Sequence, residues 1–368
     1  MSGTGPVGVG VIGAGVISNQ YLQNLVTFPD VRVVFVADID VERARAQAET
    51  FGIPGAGTVP ELLASDDVEI VVNLTIPAAH AEVAHSALDA GKHVWNEKPL
   101  TVNRDEADAL LAHAREAGLR VACAPDTVLG AGIQTALRAI RDGRIGTPTT
   151  AATMMLSPGP ESWHPNPAFL FAKGGGPLLD MGPYYLTTLV SAFGPVGAVA
   201  AAASTAFSTR TIGSGPLAGT DFPVEVPTHY GVLLRFENGT SAQSTFSFQS
   251  ALPRQGFVEI TGTEGVLVLP DPNRFDGPTT LYARGAEQPE TLVESGSAAG
   301  RGTGVVDLAR AIRAGVPERA SGELAAHVLD VMLSVTDAAE TDAFVPIRSR
   351  VAQPEPLPEG WDPAQQTL

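Results

Sequence analysis

A glycine-rich hexapeptide near the start of the chain is the first group of residues that could do chemistry. It reads Gly13-Ala14-Gly15-Val16-Ile17-Ser18, follows a short apolar run and opens a segment with helical spacing. Glycines let the backbone approach a pyrophosphate, while a helix N-terminus presents N–H donors and the positive end of a dipole. Asp38 ends the next apolar run, roughly 20 residues further on, where an acidic side chain can accept hydrogen bonds from ribose hydroxyls. The spacing predicts a dinucleotide site; the alternative for Asp38 is a solvated carboxylate or a helix cap.

Asp38 also indicates which dinucleotide binds. Its negative charge would repel a 2′-phosphate, and the next two residues, Ile39 and Asp40, bring no arginine to compensate. We therefore expect NAD to be preferred over NADP.

Lys98 is the first candidate for the reaction itself. It follows an apolar run in the segment Gly91-Lys92-His93-Val94-Trp95-Asn96-Glu97-Lys98-Pro99. Ligands of α/β sheets bind at the carboxyl ends of the strands, which is where this lysine is expected. Its charge would favour alkoxide character on a reacting carbinol oxygen. Glu97 would orient the end of the strand, and Pro99 would fix the turn that follows. The alternative for Lys98 is an ordinary surface lysine at a strand end.

A second group of candidates lies in the loop Trp163-His164-Pro165-Asn166-Pro167. An indole can stack on the apolar face of a sugar ring, and an imidazole and an amide can bind its hydroxyls. We expect Trp163, His164 and Asn166 to contact substrate, with an ordinary ordered loop as the alternative. The remaining histidines have no spacing typical of metal ligands, so no metal site is predicted.

Charge and cysteine content narrow the class of protein. The 368 residues include 23 Lys plus Arg against 40 Asp plus Glu, a formal net charge of −17. Such a surface repels nucleic acid and anionic lipid, so neither partner is expected.

Cys123 is the only cysteine and lies in an apolar run, which indicates a buried small side chain rather than a nucleophile. The start of the chain has no basic region typical of a signal peptide, and we expect a cytoplasmic protein.

The elements that must position these residues begin with alternating strands and helices. Strands are expected over residues 7–12, 31–37, 68–74, 92–96 and 119–124, and helices over 16–28, 41–51, 79–90 and 103–117. This alternation predicts an α/β fold whose N-terminal domain, residues 1–125, is a doubly wound parallel sheet of the Rossmann type.

The pattern changes after residue 125. A helix over 131–141 precedes a strand over 149–156 and a loop over 157–176. Runs over 229–236 and 240–248 flank Asn238-Gly239, a hairpin signal, and strands over 257–261 and 266–269 follow. Helices over 304–314 and 322–339 are expected to cover one face of this sheet. Residues 126–345 are therefore predicted to form an α+β domain with an open, mainly antiparallel sheet, and residues 346–368 a Pro-rich tail.

The uncharged stretch 181–209, interrupted by Gly194-Pro195, is interpreted as a buried helix and a strand rather than a membrane span.

Three motifs resemble one enzyme family. They are Asn73-Leu74-Thr75-Ile76-Pro77, the segment that ends Glu97-Lys98-Pro99, and Gly174-Gly175-Gly176-Pro177-Leu178-Leu179-Asp180-Met181-Gly182. Together they resemble the glucose–fructose oxidoreductase, inositol dehydrogenase and rhizopine-catabolism (Gfo/Idh/MocA) family over nearly the whole chain. The resemblance implies an NAD(P)-dependent oxidoreductase that moves a hydride between nicotinamide and a secondary hydroxyl carbon of a sugar, sugar derivative or polyol. It also implies a homodimer or homotetramer built on the open face of the second sheet.

The resemblance also implies catalytic residues. The family lysine beside the nicotinamide corresponds to Lys98 and the family aspartate to Asp180. The family histidine is replaced by Tyr184, which lies four residues after Asp180 and would share its face if the segment is helical. Pro183 leaves the start of that helix open, because proline is tolerated in a first turn. Tyr184 is a candidate for proton exchange, with aromatic packing as the alternative.

The expected contacts follow from these motifs. The cofactor is expected to contact Gly13, Gly15, Val16, Ile17, Asp38, Thr75, Pro77, His80, Glu97 and Lys98, although a packed or solvated histidine is the alternative for His80. The substrate is expected to contact Trp163, His164, Asn166, Lys98, Asp180 and Tyr184. Two other functions stay open: a redox-neutral NAD-using glycosidase, eliminase or epimerase, and a non-catalytic NAD-binding regulator.

Overall fold

A parallel sheet forms the centre of the first part of the chain. The structure is a computed structural model that describes residues 4–368; the first three residues, part of the segment interpreted above as lacking a signal peptide, lie outside the described range. The strands are β1 (Val7–Ile12), β2 (Val31–Ala37), β3 (Gly55–Gly57), β4 (Ile70–Asn73), β5 (His93–Asn96) and β6 (Val121–Cys123). They lie in the order β3-β2-β1-β4-β5-β6, with every neighbouring pair parallel. This is the strand order of a Rossmann sheet, so the predicted fold class is confirmed.

The connecting helices lie where the sequence indicates, but the first ends at Leu25 rather than at residue 28. They are α1 (Val16–Leu25), α2 (Val41–Phe51), α3 (Val59–Leu63), α4 (His80–Asp89) and α5 (Arg104–Ala117). Asn103 caps α5 by accepting a hydrogen bond from Glu106 N over 2.9 Å, and Gly52 and Gly118 end α2 and α5 at positive φ. The sequence missed β3 and α3, because Gly55-Ala56-Gly57 carries none of the β-branched or aromatic side chains typical of strands.

A mainly antiparallel sheet dominates the second part. Four helices occur in this part of the sequence. They are α6 (Ala131–Arg141), α7 (Gly176–Phe193), α8 (Thr303–Ala314) and α9 (Gly322–Thr341). Its strands are β7 (Pro148–Leu156), β8 (Val196–Ser204), β11 (His229–Phe236), β12 (Ser241–Ser247), β13 (Gln255–Gly262), β14 (Gly265–Leu269), β15 (Thr279–Ala283), β16 (Glu290–Leu292) and β17 (Val345–Pro346). Two further strands, β9 (Thr209–Thr211) and β10 (Asp221–Pro223), pair only with each other among the described strands.

One face of the large sheet is covered and the other is open. Its order is β16-β15-β14-β13-β7-β12-β11-β8-β17, and within the described residues β7 and β12 form the parallel pair of an otherwise antiparallel sheet. Helix α7 packs against β7, β11 and β12. On the opposite face Met154, Leu233 and Tyr282 are 40%, 47% and 49% exposed. One face of the sheet is therefore buried and the other exposed, as is typical of antiparallel sheets.

The compact units of the chain do not follow the expected boundaries. Among the described residues, one unit contains residues 4–134, 295–326 and 354–368, and the other contains residues 135–294 and 327–353. Helix α8, expected to cover the second sheet, instead packs in the first unit, where a Cβ on Gly304 would lie 2.0 Å from the Trp95 ring. Asp126 caps this helix by accepting hydrogen bonds from Gly302 N and Gly304 N over 2.8 and 3.2 Å. These pairings join residues distant in sequence, which a boundary drawn along the chain misses.

Two buried features agree with their sequence interpretation. The uncharged stretch becomes the end of α7 followed by β8, and no helix within residues 4–368 is both long and apolar enough to cross a membrane. Cys123 is 3% exposed, and burial raises the pKa of its thiol well above the usual value. A protonated buried thiol is a poor nucleophile.

Candidate functional site

The turn between β1 and α1 has the shape that a pyrophosphate requires. Gly13 has a φ of +102°, and a Cβ there would lie 2.7 Å from Leu74 O, so the position needs glycine. Gly15 is the N-cap of α1, and no described heavy atom lies within 4 Å of where its Cβ would be. Val16, the first helical residue, is 87% exposed. The start of α1 is thus open to a ligand, and the residues present fit a dinucleotide.

Asp38 is held rigidly beside this turn. It is 7% exposed, its Oδ2 accepts a hydrogen bond from Ala14 N over 2.7 Å, and its Oδ1 accepts one from Asp40 N over 2.9 Å. The carboxylate therefore ties the glycine turn to the end of β2. Each oxygen retains a further lone pair for a ribose hydroxyl.

A cavity of about 410 Å³ opens next to these groups. Its lining includes Gly13, Gly15, Asp38 and Thr75 from the predicted cofactor contacts, together with Ile12, Ile39, Arg43, Val59, Leu74, Ile76, Ala79, Glu82 and Val83. The side chains are mostly apolar, with the charged groups of Asp38, Arg43 and Glu82 among them, which suits an adenosine.

Arg43 is a residue of this cavity that the sequence interpretation overlooked. Its Nη1 lies 3.9 Å from Asp38 Oδ1, and its Nη2 lies 3.3 Å from Asp40 Oδ2. The only signal for it was its place in the first turn of α2, just after the strand that Asp38 ends. The statement that no arginine compensates Asp38 is therefore wrong for the folded chain, although two carboxylates still face one guanidinium.

The ends of β4 and β5 are joined by side-chain amides. Asn73 Oδ1 accepts hydrogen bonds from Thr75 N and Thr75 Oγ1 over 3.3 and 2.7 Å, and Asn73 Nδ2 donates to Asn96 Oδ1 over 2.9 Å. Asn96 Nδ2 donates in turn to Leu100 O over 3.1 Å. This network holds Thr75 and the loop that carries Lys98 in fixed positions. Pro77, by contrast, is exposed.

His80 is packed between the same two loops. It is 1% exposed, with Nδ1 2.7 Å from Pro99 O and Nε2 3.0 Å from Thr75 O. Burial lowers the pKa of His80, and the two carbonyls oppose that shift. The placement favours the packed alternative, in which the buried ring lies between the β4 and β5 loops. A neutral ring has one N–H, so it donates to one of the two carbonyls at a time. A contact with the cofactor stays a prediction.

Glu97 is anchored by residues that sequence patterns did not single out. Its Oε1 accepts a hydrogen bond from Tyr21 Oη over 2.9 Å, and its Oε2 accepts one from Lys98 N over 2.9 Å. Trp95 Nε1 donates to the Tyr21 oxygen over 3.2 Å. Burial, reinforced by the Glu97 carboxylate, raises the pKa of Tyr21 well above its usual value, so the phenol stays protonated and donates. The Lys98–Pro99 peptide bond that follows is cis.

Asp180 and Tyr184 lie on α7, one turn apart as predicted. The helix begins at Gly176, so Pro183 is inside it rather than in its first turn. Proline has no N–H, so the carbonyl of Leu179 receives no helical hydrogen bond from that position. Asp180 is partly exposed, whereas Tyr184 is 5% exposed. The expectation that these side chains share a helix face is met by their i, i+4 spacing.

The predicted substrate loop presents a row of rings. Trp163 is 68% exposed, and its ring packs edge-on to His164 with centroids 5.6 Å apart. His164 packs edge-on to Phe169 at 5.5 Å, and its Nδ1 accepts a hydrogen bond from Asn166 N over 3.1 Å. Trp163, His164 and Asn166 are thus neighbours, and Phe169 joins them although the sequence interpretation omitted it.

The predicted residues fall in the two units. The first unit holds the glycine turn, Asp38, Thr75 and the Glu97-Lys98 segment, which follow the carboxyl ends of β1, β2, β4 and β5. In the sheet these strands are adjacent in the order β2-β1-β4-β5, so the carboxyl edge carries the cofactor candidates in a row. The second unit holds Asp180, Tyr184 and the loop that contains Trp163.

Comparison with known protein families agrees with this arrangement. Residues 7–124 match the oxidoreductase family with an NAD-binding Rossmann fold, and residues 133–268 match the GFO/IDH/MocA C-terminal domain. The chain belongs to the Gfo/Idh/MocA family of oxidoreductases. The predicted family and the predicted nicotinamide-dependent oxidoreductase are thereby confirmed.

Several members of the Gfo/Idh/MocA family resemble the chain over most of their length. The 1,5-anhydro-D-fructose reductase of Ensifer adhaerens is 31% identical over 266 residues, 70% of this chain and 74% of that protein. The trans-1,2-dihydrobenzene-1,2-diol dehydrogenase of Bos taurus is 29% identical over 279 residues, 75% of this chain and 77% of that protein. A solved structure of levoglucosan dehydrogenase with NADH and L-sorbose has a TM-score of 0.79 at 22% identity, covering 93% of this chain and 99% of that chain. At that identity the likeness supports the fold alone.

Proposed function

We propose that the chain is an NAD-dependent dehydrogenase or reductase of a sugar, sugar derivative or polyol. The observation that carries this is the row formed by the glycine turn, Asp38, Thr75 and Lys98 at the carboxyl edge of the Rossmann sheet. The named relatives act on an anhydro-sugar and a cyclic diol, which supports substrates with a secondary hydroxyl. Oxidation of such a hydroxyl removes a hydride from carbon and a proton from oxygen, leaving a ketone.

Each candidate residue has a role in this reaction. When bound, the nicotinamide supplies or accepts the hydride. Lys98 polarises the carbinol oxygen and stabilises its negative charge, Glu97 holds the Lys98 backbone by its 2.9 Å hydrogen bond, and Asp180 orients the hydroxyl. Tyr184 exchanges the hydroxyl proton, directly or through water. Trp163, His164 and Asn166 bind the sugar.

NAD is the preferred cofactor in this proposal. Asp38 is buried and held by two backbone N–H groups, so its charge cannot turn away from a 2′-phosphate. Arg43 offsets part of that charge, but Asp40 shares the same guanidinium. A cytoplasmic location, which a single cysteine suits, and a homodimer or homotetramer on the open face of the large sheet complete the proposal.

A panel of sugars and polyols tests the function directly. Purified protein is mixed with NAD and each alcohol, or with NADH and each keto-sugar, and the change in nicotinamide absorbance is followed. Turnover of at least one member, absent in Lys98→Ala, supports the proposal. Binding of NAD without turnover of any member contradicts it.

A redox-neutral enzyme is the second candidate, and Tyr184 in place of the family histidine favours it. Such an enzyme oxidises a sugar carbon transiently and returns the hydride before product leaves. It would retain its cofactor between turnovers. NAD that survives extensive dialysis, together with sugar turnover that leaves total NADH unchanged, would select this alternative.

A further inference from the structure

The small hairpin formed by β9 and β10 stands apart from the large sheet and contacts the predicted substrate loop. Its strands are joined by residues 212–220, and within the described residues it pairs with no other strand. The loop over residues 157–176 carries Trp163 and Phe169, which are 68% and 55% exposed. Side chains so exposed gain little burial, so the backbone that carries them must be held by other contacts.

Arg210, on β9, supplies several of those contacts. Its Nη1 donates to Pro158 O over 2.7 Å and to the Glu161 carboxylate, and its Nη2 donates to Phe248 O over 2.6 Å. The guanidinium also lies 5.4 Å from the centre of the Phe171 ring. The Arg210 side chain is 9% exposed and that of Glu161 14%. One enclosed cation therefore joins the start of the loop, its end and the end of β12.

The tip of the hairpin holds the middle of the loop. Gly213 N donates to Glu161 O over 2.7 Å. Gly215 has a φ of +72°, and a Cβ there would lie 2.6 Å from Pro165 Cβ. Pro165 separates His164 from Asn166, so the tip packs against the centre of the predicted sugar-binding group.

We propose that Arg210 and the hairpin tip position the loop so that Trp163, His164 and Asn166 are in their binding conformation before substrate arrives. This inference rests on the proposed function, because that proposal assigns the three side chains to substrate. Pre-ordering removes the entropic cost of fixing these side chains upon binding. Loss of the hairpin contacts should raise KM for the sugar roughly five- to twenty-fold while kcat and the Kd of NAD stay nearly constant.

Substitutions at Arg210 provide the first test. Arg210→Met removes the cation and leaves Glu161 without its partner, whereas Arg210→Lys keeps the charge but not the forked donors. We expect Arg210→Met to raise KM more than Arg210→Lys, so that KM increases in the order wild type, Arg210→Lys, Arg210→Met. Acrylamide quenching of Trp163 fluorescence, corrected with the same variants in a Trp163→Phe background, should change in parallel.

A matched pair of glycines provides the second test without touching Arg210. Gly215→Ala and Gly219→Ala both introduce a side chain at positive φ, +72° and +87°, in the same hairpin. Only the alanine at 215 would press on Pro165, because no described heavy atom lies within 4 Å of the Cβ position at 219. Gly215→Ala should reproduce the rise in KM and the change in quenching, and Gly219→Ala should produce neither.

The outcomes separate this inference from the proposed function. Unchanged Trp163 quenching in both Arg210→Met and Gly215→Ala overturns the inference, whether or not a substrate is known. Changed quenching with an unchanged KM overturns it too, because the loop would then not bind substrate. Absence of turnover by the wild-type protein with every sugar and polyol contradicts the proposed function instead, and the quenching comparison still decides whether the hairpin holds the loop.

Discussion

The phenol of Tyr21 donates a hydrogen bond to Glu97 Oε1 over 2.9 Å, which joins helix α1 to the end of strand β5. The other oxygen of Glu97 accepts from Lys98 N over 2.9 Å. The carboxylate therefore connects the helix that follows the glycine turn with the lysine of the proposed reaction. Tyr21 and Glu97 are both buried. The position of the Lys98 backbone therefore depends on Tyr21, which lies 76 positions before Glu97 in the chain.

Tyr21→Phe tests that connection. Removing the hydroxyl leaves a buried carboxylate short of one donor, so we expect the free energy of unfolding to fall by about 2 kcal/mol. If Tyr21 also positions Lys98, kcat should fall several-fold even at a temperature where the variant is fully folded, because unfolding cannot then explain the loss. Tyr185→Phe, which removes another buried phenol that donates to a carboxylate, here Asp271, is the matched control. Lower stability with wild-type kcat would assign Tyr21 a structural role alone.

Lys98→Ala should lower kcat on the order of 10²-fold or more, because a preorganised charge that stabilises developing alkoxide character is lost. Circular dichroism and the Kd of NAD should stay close to wild type. Lys98→Met, which keeps the length without the charge, should be as inactive as the alanine variant. Near-normal turnover in either variant removes Lys98 from the mechanism.

Cofactor choice should depend on both Asp38 and Arg43. Arg43→Ala is expected to weaken NADP binding about tenfold and NAD binding much less, since only a 2′-phosphate needs the guanidinium. Arg45→Ala removes the same charge from the same helix, but Arg45 pairs with Glu42 away from the cavity, so it should change neither Kd. Titration calorimetry with NAD and NADP measures both. A wild-type protein that binds NADP more tightly than NAD would show the interpretation of Asp38 to be wrong.

Tyr184→Phe decides between proton exchange and packing. If the phenol exchanges the hydroxyl proton, its removal breaks the proton path and leaves the cofactor site unchanged. The phenylalanine variant should then lose most of its activity while still binding NAD. Tyr185→Phe is the control on the same helix, because the Tyr185 hydroxyl donates to Asp271 over 3.1 Å and serves packing. If Tyr184→Phe keeps the wild-type kcat and pH profile, Asp180 inherits the acid/base role.

His93 makes stability depend on pH. Burial, with a smaller contribution from Arg120, lowers the pKa of His93 to about 4. Between about pH 6.5 and pH 4 the unfolded chain binds a proton at this histidine that the folded chain does not, so its contribution to the free energy of unfolding falls as pH falls. His93→Asn keeps an acceptor for Arg120 N, 3.0 Å from His93 Nδ1, and removes the titration.

Urea unfolding of both proteins at several pH values measures this term. The wild type should lose about 3 kcal/mol more than His93→Asn between pH 7 and pH 4. The comparison cancels the contributions of His80 and His327, whose pKa values burial also lowers. Parallel stability curves for the two proteins would contradict the assignment to His93.

Local patterns predicted the elements that carry the cofactor candidates. Gly13, Gly15 and Asp38 could be singled out because strand, turn and helix follow one another along the chain, and each leaves its own periodicity or turn residue. The strand before Lys98 and the hairpin at Asn238-Gly239 were predicted for the same reason. The carboxyl edge of a parallel sheet then brings the strand ends together whatever the rest of the chain does.

Tertiary structure alone decided the supporting contacts. Tyr21 meets Glu97, Arg43 meets Asp38, and Gly304 meets Trp95, although nothing in the local spacing of those residues distinguishes them from ordinary helix positions. Likewise Arg210 holds Glu161 from a hairpin that follows the loop by several elements. The physical reason is that hydrophobic and backbone periodicities act between near neighbours in sequence. Packing, by contrast, selects partners by shape and charge across the folded chain, where sequence separation leaves no pattern.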